Sequence, residues 1–377
     1  MTLVLTDDQQ LLRDTAQQFA ADRAPPGELR RLRDTNDAVG FDRAVWKEMA
    51  DMGWAGVLIP EDHGGVGFGH VGAGLIAQQI GRNLSVTPML STAVVGATTL
   101  LAGGSAAQKS LLPQIAAGDL VLAAAFDERP RHAPLEITTR AVRSGTGYAL
   151  SGRKTHVLDG HVADHLIVSA RLSGETGDRD GLALFLVNPR APGVSIERVT
   201  AVDSHNTAIV ELRDVAVAAG DVLPATSTAQ VIEAALDAGR AWLAAEMLGI
   251  AEEAFERTLG YLREREQFGV LIGSFQALQH RAAYLYCEIE LLRSAVLRAL
   301  QALDAAEQGA AKLVCVAKAR ACEVARLATN EAVQMHGGIG MTDEFDIGFF
   351  MKRARAAAET FGDQYYHTDR FAGLAGY

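Results

Sequence analysis

Cysteine is scarce in this chain: 377 residues hold three, Cys287, Cys315 and Cys322. An odd number without metal-ligand spacing excludes a disulfide framework and a thiolate zinc site. Free, buried thiols in a reducing compartment are the expectation. Aromatic residues make up only 6% against 49% apolar overall, so Ala, Leu and Val dominate, a composition suited to closely packed helices. Positive charge is also in short supply. The formal net charge is −11, and no Lys/Arg-rich run offsets it, which argues against a nucleic-acid-binding surface. No run reaches the ~18 apolar residues of a membrane span. The first residues lack the basic-then-apolar pattern of a secretion signal, so a cytoplasmic protein without membrane insertion is expected.

What is present is a change of period along the chain. The length exceeds one ordinary core and implies two or three packed units. Residues 1–117 read as helical, with Thr6 and Gln9 forming an N-terminal capping pair before Leu11, Leu12, Thr15 and Phe19. Further helices are expected at 41–52, 71–81 and 108–117, with a Gly-rich loop at 59–69. Residues 118–224 switch to short β-branched segments at 148–151, 165–172, 182–187, 194–199 and 207–217, the pattern of an antiparallel barrel or sandwich. From 225 to 377 the helical period returns in long segments at about 228–265, 275–306, 309–336 and 345–360, which imply a four-helix bundle. The expected class is α+β.

Two strings carry chemistry. Arg265-Glu-Gln-Phe-Gly269 closes a long helix and is followed by Phe275-Gln276 at the start of the next. Arg near a helix C-terminus complements the helix dipole, which accounts for Arg265 taken alone. Arg is also a forked cation suited to a pyrophosphate, and Phe268 supplies a flat apolar contact. Gln334-Met-His-Gly-Gly-Ile-Gly340 ends another helix. Its glycines, Gly337 and Gly338 among them, free backbone amides for close approach to an anion. His336 is expected to pack or to face solvent rather than to catalyse.

These strings, with Met52-Gly-Trp-Ala-Gly56, Ile59-Pro-Glu61 and Gly104-Ser105 through Gln108-Lys109, resemble in order and spacing the acyl-CoA dehydrogenase family over essentially the whole chain. The resemblance implies FAD as cofactor, with Arg265, Phe268 and Gln276 reaching the dinucleotide of a neighbouring subunit and Gln334, Gly337 and Gly338 lying along its diphosphate. It also implies an acyl-CoA substrate desaturated between its α- and β-carbons, an electron-transferring flavoprotein as acceptor, and a homo- or hetero-tetramer. No metal is implied. CoA is polyanionic, so local basic groups must receive it against the net charge.

The match is weaker in the middle. Phe126-Asp127-Glu128-Arg129-Pro130 stands where relatives carry a Thr-Glu-Pro segment, and Phe126 and Asp127 are the flavin candidates there. The motif Ser151 to Gly160 has His156 in place of the usual Trp and Leu158 in place of Ser or Thr. His156 keeps a flat ring for stacking, and Leu158 keeps a backbone NH. The residue that should be the catalytic Glu, before Gly362, is Phe361, and the alternative position before Arg240 is Gly239. The chemistry needs a proton acceptor at the α-carbon. Asp363 is the nearest carboxylate, and it is either that base or a cap on the following turn. Arg240 would steady the acyl group or the base, or else pair with Asp237. Three readings follow: an active dehydrogenase, an incomplete subunit resembling the small chain of pimeloyl-CoA-type heteromeric enzymes, or a non-enzymatic flavin or acyl-CoA binding protein.

Overall fold

A computed structural model describes residues 4–377. Thr6 caps the first helix as its sequence suggested. Its Oγ1 accepts from the Gln9 NH at 3.3 Å, and the Gln9 side chain returns a bond to the Thr6 NH. In chain order the N-terminal helices are α1 Asp7–Arg23, α2 Pro26–Asp34, α3 Arg43–Asp51 and α4 Gly69–Asn83. A π-helical segment at Met89–Gly96 leads into α5 Ala97–Gly103, then α6 Ala106–Lys109 and α7 Leu112–Ala116. The single helix expected at 108–117 is thus two. Pro113, at the start of α7, lacks the NH needed to continue α6. In α1 the buried positions are Ala16 and Ala20, while Leu11 is exposed. Small residues make the contact there, so the stripe drawn through the larger side chains was displaced.

The strands are β1 Leu122–Ala125, β2 Arg140–Ser144, β3 Gly147–Leu158, β4 His165–Arg171, β5 Leu182–Val187, β6 Val194–Thr200 and β7 Asn206–Val217. They form one curled sheet in the order β1-β4-β2-β3-β7-β6, with β5 also on β4. Most pairings are antiparallel, as expected, but β1 runs parallel to β4 through Leu122↔His165 to Ala125↔Val168. β3 is far longer than the segment read at 148–151, because register shifts at Leu150/Gly152 and Lys154/Val157 let it bend and continue. Leu150, Val157, Leu166, Val168, Phe185, Val210 and Val215 form the core along the sheet.

The C-terminal helices are α8 Thr228–Glu264, α9 Gln276–Asp304, α10 Ala310–His336, α11 Ile347–Glu359 and α12 Gln364–Ala375. Between α8 and α9 lies a small hairpin, β8 Glu266–Gln267 and β9 Val270–Leu271. The long helices match their expected ranges closely, and α12 is an addition. Compactness groups the residues up to Asp34, His70–Val86 and Arg240–Tyr377 into one unit, and Thr35–Gly69 with Thr87–Gly239 into another. Within the first unit α4 meets α8 backbone to backbone. A Cβ on Gly81 would stand 2.0 Å from the Glu246 carbonyl oxygen, and one on Gly249 1.9 Å from that of Gln78. Only glycine permits that approach. Two of the cysteines, Cys315 and Cys322, are buried on α10 as expected, whereas Cys287 is exposed.

Candidate functional site

In the sheet unit, the segment after β1 is pinned by buried charge. Lys154, on β3 and fully buried, donates to Glu128 Oε1 at 2.7 Å and to Ser169 Oγ at 2.9 Å. Glu128 also accepts the backbone NH groups of Thr138 at 2.7 Å and Thr139 at 3.1 Å. Burial would raise this carboxyl, but the Lys154 ammonium and the donated hydrogen bonds hold it down to about 2. Beside it, Asp127 takes the Ala133 NH at 3.0 Å and contacts His132 Nδ1 at 2.8 Å, and the Asp127 carbonyl accepts from Thr155. Phe126 is 4% exposed, so its ring belongs to the packing. His156 is exposed, with φ of +52°, in the bulge between Lys154 and Val157. The Asp127 and His156 segments are therefore joined directly through the Thr155 bond. Leu158, half-buried, ends β3.

In the helical unit, Arg265 follows the last turn of α8, and its NH still bonds the Tyr261 carbonyl at 2.9 Å. Phe268 and Gly269 form the two-residue tip of the β8–β9 hairpin, with φ of +57° and +76°. A tight hairpin of this kind requires positive φ at both positions. Phe268 is 92% exposed and touches Phe275 edge-on at 6.2 Å. Gln276, the first residue of α9, is exposed. At the end of α10 Gln334 is exposed, and Gly337 adopts φ of +63° and ψ of −137°. A Cβ built on Gly337 or Gly338 would meet nothing within 4 Å.

His336 ties these two ends together. Its ring stacks on Tyr261, one turn before Arg265, at 4.5 Å, and its Nδ1 lies 2.7 Å from the Ala332 carbonyl. Burial, the largest influence, and the nearby Arg257 charge push this imidazole below its ordinary range against the Ala332 hydrogen bond, and its contacts are those of a packing group. The segment beyond the glycines is clasped by charge. Arg33 grips Asp343 through both oxygens at 2.6 and 2.7 Å, and Arg30 reaches Asp346 at 2.9 Å.

Arg240 and Asp363 meet elsewhere in the same unit, at the turn between α11 and α12. Arg240, on α8, is fully buried. It donates from Nε to the Phe361 carbonyl at 3.1 Å and from Nη2 to the Tyr366 hydroxyl at 3.0 Å. Asp363 caps α12, its Oδ1 taking the Tyr366 NH at 2.8 Å. Lys318, on α10 and fully buried, donates to the carbonyls of Ala357, Ala358 and Gly362 at 3.1, 3.0 and 2.9 Å. Sequence reasoning missed Lys318, Tyr366, Lys154 and Glu128. The available signal for Lys318 was a lone cation on the Ala-rich face of α10 that carries Val314, Ala321 and Ala325.

The donor set at the hairpin and glycine segment suits a large anionic, planar-ringed cofactor. A guanidinium, an exposed aromatic and two glutamines stand at the surface, and the glycine amides have open space above them.

Three family profiles match the chain: acyl-CoA dehydrogenase N-terminal domain at residues 6–119, middle domain at 131–215 and C-terminal domain at 229–372. A probable acyl-CoA dehydrogenase, YngJ of Bacillus subtilis, is 31% identical over 365 residues, covering 94% of each chain. Among solved structures, a steroid acyl-CoA dehydrogenase variant described as Tcur3481-Tcur3483 superposes with a TM-score of 0.87 at 31% identity, over 98% of each chain. The ChsE4-ChsE5 complex from Mycobacterium tuberculosis gives 0.89 at 27% identity over the full length of both.

Proposed function

Because the chain belongs to the acyl-CoA dehydrogenase family of FAD-dependent oxidoreductases acting on CH–CH groups, we propose that it takes part in α,β-desaturation of an acyl-CoA to the trans-2-enoyl thioester. The observation that carries this reading is the uncommitted donor set at the hairpin and the glycine segment. Arg265 is exposed and has no side-chain hydrogen bond or ion pair among the described residues. FAD, when bound, supplies the acceptor for the hydride that leaves the β-carbon. Arg265 would meet the pyrophosphate of an FAD held by a neighbouring subunit, Phe268 would cover an apolar face of that same FAD, and the Gly337 and Gly338 amides would face its phosphate oxygens. On the sheet unit, the exposed His156 ring and the Leu158 NH are the candidates for the flavin ring, with the Asp127 segment beside them. An electron-transferring flavoprotein is the proposed electron acceptor. Three functional domains, 1–117, 118–224 and 225–377, are proposed on the same grounds.

A second reading has an observation of its own. Phe361 offers no carboxylate, and Asp363 is engaged as the cap of α12. That favours a role as one chain of a heteromeric dehydrogenase, in which a homologous partner supplies the base. One of the solved relatives is described as a complex, ChsE4-ChsE5. The deciding experiment is anaerobic titration of the FAD-loaded protein with a panel of acyl-CoAs. Flavin bleaching by this chain alone supports a complete enzyme, with Asp363 leaving its cap to act as base. Bleaching only after a Glu-bearing homologous chain is added supports the heteromer. Acyl-CoA binding without bleaching under either condition contradicts desaturation.

A further inference from the structure

We propose that Lys318 is a positioning residue for acyl-CoA, setting from the buried face of α10 the turn on which Arg240, Tyr366 and Asp363 converge. This rests on the acyl-CoA reading above. The amine is fully buried, and its hydrogen-bond partners are the carbonyls of Ala357, Ala358 and Gly362, with the Cys322 thiol at 3.7 Å. None of these is a carboxylate. An ammonium has three hydrogens to donate, and three carbonyls of one turn receive them. Two of those carbonyls belong to the last turn of α11, where a cation complements the helix dipole.

The geometry goes beyond capping. The Phe361 carbonyl is held by Arg240 from α8, and the next carbonyl, of Gly362, is held by Lys318 from α10. Two successive peptide planes are thus fixed by two cations on different helices. The backbone between them is unusual, with φ of +58° at Phe361 and +104° at Gly362. Positive φ is ordinary for Gly362 but uncommon for a bulky aromatic such as Phe361. A Cβ on Gly362 would lie 2.3 Å from Tyr366 Cδ1, so the Tyr366 ring closes over the same turn. A buried Met would fill the volume of Lys318 without desolvating a charge. What the amine adds is direction: it fixes where the carbonyls point, and through them where Phe361, Tyr366 and Asp363 stand.

The test is Lys318→Ala in the full-length, FAD-loaded protein. It measures bound flavin and the affinity for a panel of saturated acyl-CoAs by perturbation of the flavin spectrum. The expected result is flavin content near that of the parent, with acyl-CoA affinity lowered about tenfold or more, as for a lost charged hydrogen-bond set. Added n-butylammonium should restore affinity, and n-butanol, which fills the space without three donors, should not. Affinity within twofold of the parent, or equal recovery with n-butanol, would overturn the role. If Lys318→Ala does not fold, Lys318→Met replaces it, and unchanged acyl-CoA affinity in that variant overturns the role equally. If neither folds, the lysine serves the fold as a whole and the narrower assignment is wrong. A parent protein that binds FAD but no acyl-CoA defeats the functional reading itself, which separates the two failures.

Discussion

The hairpin and glycine segment on one side, and the turn between α11 and α12 on the other, use similar residue types in opposite ways. Arg265 and Phe268 stand in the open, and Gly337 and Gly338 have space above them. Arg240 and Lys318 are fully buried and engage carbonyls of the turn, Arg240 also the Tyr366 hydroxyl. A cation already engaged with the protein's own carbonyls builds a frame, whereas one left at the surface beside an exposed ring contributes little to the fold. The lesson is that side-chain ordering is met within the protein at the turn, whereas at the hairpin the protein's own groups do not order the Arg265 side chain.

Substitutions that break this contrast should separate stability from ligand binding. The largest effect belongs to a buried pair in the sheet unit, which follows the same rule as the turn. Glu128→Gln leaves the buried Lys154 amine without its counter-charge, and is expected to cost about 3–5 kcal/mol in chemical denaturation. The pH dependence has a definite sign. The Glu128 carboxyl is depressed from 4.5 to about 2, so its contribution is full above the ordinary value and is lost as pH falls through that range toward the depressed one. A parent whose acid limb matches that of Glu128→Gln would refute the assignment.

Next in size, the two neighbouring glycines should part company. Gly337→Ala forces a side chain into φ of +63° and should cost about 1–3 kcal/mol. Gly338→Ala has room for its methyl group and should leave thermal unfolding unchanged while weakening FAD retention. Equal loss of stability in both would make the segment purely structural. The smallest effect concerns Asp363. As a cap, Asp363→Ala should cost about 1 kcal/mol and Asp363→Asn only a few tenths. If Asp363→Asn retains stability yet abolishes flavin bleaching by acyl-CoA, the residue leaves its cap to act as base. If bleaching persists, it is a cap alone.

Much of this arrangement was legible in the sequence because its signals are long or local. Helices α8 to α11 each sustain a helical period over many residues, and the break between α8 and α9 was legible at Gly269 to Gly273, though the two short strands of its hairpin were not. What escaped did so for physical reasons. β1 is Leu-Ala-Ala-Ala, with no β-branched residue, and β2 is mostly exposed with two arginines, so neither shows strand periodicity. Both are strands because β4 and β3 pair with them. The turn residues Lys318 and Tyr366 lie far apart in sequence, and only folding gives the lysine its carbonyls. Asp363 was read as base or cap, and the cap is the geometry present in the folded chain. That Phe361 fills the expected Glu position was visible from the start; that buried Arg240 holds its carbonyl and buried Lys318 the next one was not.

The most direct test of the contrast is FAD affinity, measured by equilibrium dialysis, for the parent and for Arg265→Ala, with thermal unfolding recorded alongside. The account expects the parent to bind FAD and the variant to bind at least about tenfold more weakly, with stability within about 0.5 kcal/mol because the side chain is exposed. Unchanged FAD affinity in Arg265→Ala would contradict it, since the exposed cation would then have no ligand to hold.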